Sequence, residues 1–124
     1  MDMTNEVKNL QGATSEEIAK AIAEAIAEAL DSKKGKNIKT IKVGDKTVIA
    51  DYFVIANGTS STHVKSLADE VEYKLGLAGL NPIHSDAGDG RSWIALDYAC
   101  VIVHVFDREA REFYNLDRLY TEFE

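Results

Sequence analysis

Cysteine, proline and tryptophan each occur once in the 124 residues. The lone Cys100 cannot close an internal disulfide, and zinc or cluster sites draw on several thiolates. Such cysteine usage suits a reducing cytoplasmic setting. With one proline, no internal repeat and no low-complexity run, the chain shows no linker, so a single domain over residues 1–124 is expected. Nowhere does an apolar run reach the about 18 residues of a spanning helix. The opening Met-Asp-Met-Thr-Asn-Glu is too acidic for a secretory signal, so no membrane is expected among the partners. Basic charge is also scarce, with 14 Lys and Arg against 21 Asp and Glu, for a net charge of −7. Proteins that grip nucleic acid displace its counterions with lysine and arginine. Free nucleic acid is therefore an unfavourable partner, and a basic protein surface is a better match. The exception is residues 31–46, where six lysines face two aspartates. A solvated loop and strand edge guarded by lysines accounts for that stretch.

Signatures of catalysis are missing too. His63, His84 and His104 have no metal-ligand spacing, and neither an HExxH nor a GxSxG pattern occurs. No metal or cofactor is expected. The most enzyme-like feature is Gly58-Thr59-Ser60-Ser61, a small-residue turn between a strand and a helix. It resembles the Gly-Ser turn of nucleotidyltransferases and is a candidate phosphate cradle. Those enzymes also hold magnesium on paired acids of a following strand. Here the strands supply Asp97 alone, and an ordinary helix N-cap explains the turn as well. A nucleotidyltransferase-like enzyme or nucleotide-binding protein using Gly58 to Ser60 is thus the alternative reading.

What is present is a clear alternation of elements. Thr14 and Glu17 have capping-box spacing, and Ile18, Ile22, Ile26 and Leu30 recur along one face, predicting a helix over 15–32 that stops at Gly35. Strands are predicted around Ile38 to Val43 and over 51–57, and a second helix over 61–77 with its stripe on Val64, Leu67, Ala68, Val71 and Leu75. Pro82 and Ile83 read as a short strand and residues 85–92 as a loop. A hairpin follows, from 92–97 and 100–106, and Asp107 is placed to cap a final short helix. The order α-β-β-α-β-β-β-α predicts an α/β (α+β) fold: a mixed sheet of about five strands with helices mainly on one face. In the hairpin, Ile94 and Leu96 alternate with Trp93, Ala95 and Asp97, and the valines of the last strand alternate with Ile102, His104 and Phe106. The second set defines either an open, adhesive sheet face or a face covered by the C-terminal tail.

Several ordered segments then carry a family resemblance. They are Ala50-Asp51-Tyr52-Phe53-Val54-Ile55-Ala56-Asn57-Gly58-Thr59-Ser60, His63-Val64, Trp93-Ile94-Ala95-Leu96-Asp97-Tyr98, Val101 to Phe106, and Arg111 through Tyr114, Leu116 and Leu119. Together they resemble the ribosomal silencing factor family, also called Iojap-like, over about Thr14 to Tyr120. The resemblance implies a nucleotidyltransferase-like fold without the catalytic acids. It implies a factor that binds the large ribosomal subunit, chiefly the basic large-subunit protein numbered fourteen, and blocks joining of the small subunit when nutrients run short. Asp86-Ala87 stands where the family has Glu-Gly, and Ala99-Cys100 where it has Gly-Asp. An alanine in that tight turn is disfavoured if the turn needs positive φ.

On this reading Trp93 and Tyr98 are expected as aromatic anchors, because aromatics dominate interface hot spots. Asp97 is expected to meet lysine or arginine. His104 is either a rim contact or an internal hydrogen-bonding group. Tyr114, Leu116 and Leu119 are expected in the core. The apolar sheet face also suggests a homodimer away from the ribosome.

Overall fold

A computed structural model describes residues 14–44, 50–86 and 92–114. Helix α1 spans Ser15–Ser32. The Thr14 hydroxyl accepts from the Glu17 amide at 3.2 Å, and the Glu17 carboxylate reaches back to Thr14. This reciprocal cap satisfies two amides that would otherwise be orphaned at the helix start. Alanine, isoleucine and leucine fill the buried stripe: Ala19, Ile22, Ala23, Ile26 and Leu30. The helix ends in a Schellman pair, with Gly35 N–H on the Leu30 carbonyl at 2.8 Å and Lys34 N–H on that of Asp31 at 2.9 Å. The left-handed position belongs to Lys34 (φ 62), one residue before the expected glycine. Gly35 is needed for a different reason: a Cβ there would sit 2.9 Å from the Leu30 carbonyl oxygen.

The strands are β1 Lys36–Lys42, β2 Tyr52–Gly58, β3 His84–Asp86, β4 Trp93–Asp97 and β5 Val101–Asp107. Helix α2 covers Ser61–Leu77 and α3 covers Arg108–Tyr114. The sheet order is β1-β2-β5-β4-β3, with β2 and β5 parallel and the other pairs antiparallel. The expected five-stranded mixed sheet and element order are therefore present. One boundary is corrected: Pro82 and Ile83 lie before β3, which occupies residues 84–86. Ile83 N–H already bonds the Asp97 carbonyl at 2.8 Å, but the ladder proper begins at His84.

Helices α1 and α2 pack on one face, over Val54, Ala56, Ile94, Leu96, Val101, Val103 and Val105. The opposite face carries Phe53, Ile55 and Phe106, with Ala110 of α3 packed on them and Trp93 and Ile102 at the margin. Of the two alternatives for this face, the open one fails at Phe106, which is only 1% exposed with α3 packed beside it. Asp107 does cap α3, its carboxylate accepting from the Ala110 amide at 2.8 Å. Residues 115–124, including Leu116 and Leu119, lie outside the described residues, as do Asp45, Ala87 and the side chain of Tyr114.

Candidate partner-binding face

The register of the β4–β5 hairpin decides which predicted residues meet. Ala95 stands opposite His104, Trp93 opposite Phe106 and Asp97 opposite Ile102. Trp93 is therefore the diagonal neighbour of His104, within reach of a long aromatic side chain. Its indole N–H donates to His104 Nδ1 at 3.1 Å. Ring centroids lie 5.2 Å apart for Trp93–Phe106 and 4.9 Å apart for the edge-on Phe53–His104 pair. His104 is thus the internal hydrogen-bonding group, not a rim contact.

Because Nδ1 accepts, the proton of neutral His104 sits on Nε2. That buried N–H finds no hydrogen-bond partner among the described residues. Burial disfavours the imidazolium and lowers the pKa from 6.5 to about 4. Protonation would also break the indole bond, since both nitrogens would then be donors.

Asp97 points to the same face as Trp93 from the far end of β4. One carboxylate oxygen accepts from the Ala99 amide at 2.7 Å and shapes the turn. Cys100 N–H bonds the Tyr98 carbonyl at 2.9 Å around Ala99, whose φ is +71. This is a γ-turn of the rare, strained hand. Alanine thus occupies the positive-φ position that glycine would relieve.

Tyr98 departs from its expected role as a surface anchor. The residue is only 8% exposed and belongs to the core beneath α1 and α2, on the other side of the sheet from Trp93. Its hydroxyl is buried without a hydrogen-bond partner among the described residues. Burial, assisted by the nearby Glu72 carboxylate, pushes the phenol well above its usual pKa of 10.

Three further positions join Trp93 and Asp97. On the exposed edge strand β3, His84 stands opposite Asp97 and Asp86 opposite Ala95, so both share their face. Ile83, immediately before that strand, is 72% exposed. The resulting surface has a half-buried indole, two carboxylates, an imidazole and an aliphatic side chain beside them. It suits a partner offering cations around an apolar centre.

The Gly-Thr-Ser turn is organised inward. Thr59 N–H donates to His63 Nδ1 at 2.9 Å, and His63 N–H donates to the Ser60 hydroxyl at 3.1 Å. His63 Nε2–H meets the Lys33 carbonyl at 2.8 Å and ties α2 to the end of α1. Ser60 is thus an N-cap, and two donors of the candidate cradle are already used. Gly58 is obligatory because a Cβ would lie 2.8 Å from the Val64 amide nitrogen. Among the described residues, no three His, Cys, Asp or Glu side chains gather as a metal site.

Comparison with known proteins decides the family. The family model described as "Ribosomal silencing factor during starvation" matches residues 15–124. The chain belongs to the ribosomal silencing factor family. It is a ribosome-associated translation regulator by that membership. The ribosomal silencing factor of Haemophilus influenzae is 35% identical over 100 residues, spanning 81% of this chain and 98% of that protein. A crystal structure of a protein from Chromobacterium violaceum superposes with a TM-score of 0.78 at 31% identity, covering 82% of this chain and 84% of the other. A more distant relative is the mouse "Mitochondrial assembly of ribosomal large subunit protein 1", 28% identical over 95 residues, spanning 74% of this chain and 42% of that protein. Among the described residues of this silencing factor, no helix is long and apolar enough to cross a membrane.

Proposed function

We propose that this silencing factor binds the large ribosomal subunit through the β3–β4 face and so blocks joining of the small subunit. Its partner is the basic large-subunit ribosomal protein numbered fourteen, and the action is steric occlusion in the cytoplasm without catalysis. The carrying observation is the juxtaposition of half-exposed Trp93 with Asp97 and Asp86 on one sheet face beside an exposed strand edge. Indole supplies apolar area at low entropic cost, and the carboxylates accept charge-assisted hydrogen bonds from lysine or arginine. The net charge of −7 speeds encounter with a basic protein and disfavours naked RNA. The name of the mouse relative supports the choice of subunit.

Tyr98 takes part only indirectly, as the core residue that anchors the hairpin turn next to Asp97. His104 holds the indole in place from below. Away from the ribosome, the exposed edge strand β3 is where a second copy of the chain would pair. Sedimentation with separated subunits through sucrose gradients tests the proposal. Co-migration with the large subunit, weakened by salt, is expected; equal migration with both subunits, or equal binding to protein-free ribosomal RNA, overturns it.

A further inference from the structure

At the carboxyl ends of the parallel strands β2 and β5, the chain leaves in two directions. From Gly58 it turns into α2, which packs on one face of the sheet, and from Asp107 into α3, which packs on the other. Diverging connections at the ends of adjacent parallel strands open a crevice, the position where open α/β sheets hold ligands. Here the crevice is a half-open cavity of about 610 Å³. That lies within the usual range for small-molecule sites, roughly 300–1,000 Å³.

Its lining is cationic on an otherwise acidic protein. Lys36, Arg108 and Arg111 contribute three positive charges, and Glu112 one negative charge. Arg111 is only 8% exposed, and its guanidinium is fixed in place: Nη1 donates to the Asn57 side-chain oxygen at 2.6 Å and to the Asn37 carbonyl at 2.5 Å. Asn57 is itself buried. Asn37 presents its carbonyl from a left-handed backbone (φ 49), where the β1–β2 register shifts between Lys36 and Lys39. Strained backbone of this kind clusters at sites where a geometry has to be held. At the mouth, Arg108 and Glu112 form a loose, exposed ion pair at 4.0 Å, which an incoming anion can displace.

We infer that this crevice binds a small molecule carrying two or more adjacent phosphates, of nucleotide size. Lys36 and Arg108 close over the phosphate oxygens, and Arg111, whose Nη1 is already held by Asn57 and Asn37, adds a fixed positive charge beside them. The turn amides are not needed, since Thr59 N–H is spent on His63. The site is thus made by side chains from β1 and α3. Its lining shares no residue with the Trp93–Asp97 set, and the inference does not depend on the ribosome-binding reading.

Calorimetric titration with inorganic pyrophosphate, ADP and GTP, in about 150 mM salt to screen the protein's overall negative field, tests the inference. At least one probe should bind with Kd below about 1 mM. The Lys36→Ala/Arg108→Ala variant changes two exposed side chains, should melt like the parent, and should bind at least about tenfold more weakly. Glu112→Gln should bind more tightly, an effect that a purely structural cluster would not give. Lys65→Ala, a cation on the outer surface of α2, should bind as the parent does. Pyrophosphate binding as well as the nucleotides assigns recognition to the phosphates alone; tighter nucleotide binding adds the remainder of the cavity. No binding of any probe at 5-fold that concentration, equal binding by the double variant, or binding only to an RNA oligonucleotide overturns the inference.

Discussion

His104 should make the protein lose stability as pH falls from 6.5 toward 4, beginning above the range where carboxylates titrate. Its folded-state pKa is lowered from 6.5 to about 4 because burial penalises the imidazolium. Above pH 6.5 the ring is neutral in both folded and unfolded chains, and the full stability is present. Between 6.5 and 4 the unfolded chain takes up a proton that the folded one refuses, so stability falls as pH falls. Below about 4 both forms are protonated and the loss levels off. At about 1.4 kcal/mol per pKa unit, the window is worth about 3 kcal/mol. That is a large share of the roughly 5–15 kcal/mol that holds a domain together. His104→Gln supplies the control: its side-chain oxygen can still accept from the Trp93 indole, but it does not titrate. Urea denaturation of both proteins at several pH values between 7.5 and 4 isolates the term, because the carboxylates are common to the pair. The parent should lose about 3 kcal/mol more than the variant over that range. Trp93 is the only tryptophan, so its fluorescence reports the same event, with a midpoint near 4. A stability difference constant with pH, or a fluorescence midpoint near that of a free imidazole, would refute the bond between the indole and a buried, neutral His104.

Three further outcomes follow from the hairpin. Ala99→Gly should raise stability by about 1 kcal/mol, read as a melting temperature a few degrees higher, because it relieves a side chain at φ +71; an unchanged or lower melt contradicts the strained γ-turn. Tyr98→Phe should be neutral or slightly stabilising, since the hydroxyl it removes is buried without a partner among the described residues, whereas a loss of about 1 kcal/mol or more would reveal a hydrogen bond. Asp97→Asn keeps an oxygen for the Ala99 amide and should change stability by less than about 0.5 kcal/mol; large-subunit binding should nevertheless weaken and lose part of its salt dependence, and undiminished binding places the interface elsewhere.

Local signals made much of the fold legible before the structure. The capping box at Thr14 and the four-residue recurrence of Ile22, Ile26 and Leu30 fixed α1, and the alternation of Ile94 and Leu96 against Trp93, Ala95 and Asp97 assigned both faces of β4. The same alternation carries Tyr98 to the helix side with Ile94 and Leu96, so its place in the core is legible in the sequence, although an aromatic beside a turn also fits an interface anchor. Strand β3 falls at residues 84–86 and not at Pro82–Ile83, because all three of its residues are exposed and only backbone pairing with β4 makes it a strand. The left-handed Lys34 was hidden because Gly35 next to it is the residue that usually takes that role. Two features depended on contacts distant in sequence. The Trp93–His104 bond requires the hairpin register, and the cover over Phe106 requires α3 to turn onto the second face. His84 and Asp86 join Trp93 and Asp97 only through the β3–β4 pairing.

The occlusion mechanism is tested most directly by light scattering during subunit joining. Purified large and small subunits are mixed with and without the protein, and with the Trp93→Ala variant, after melting curves show that the variant is folded. The parent protein should suppress the rise in scattering when added to the large subunit first, and the folded variant should require at least about tenfold more protein, as expected for a hot-spot aromatic. Unimpeded joining at saturating parent protein would contradict the mechanism, and full suppression by the variant at the parent's concentration would contradict the assignment of the binding face.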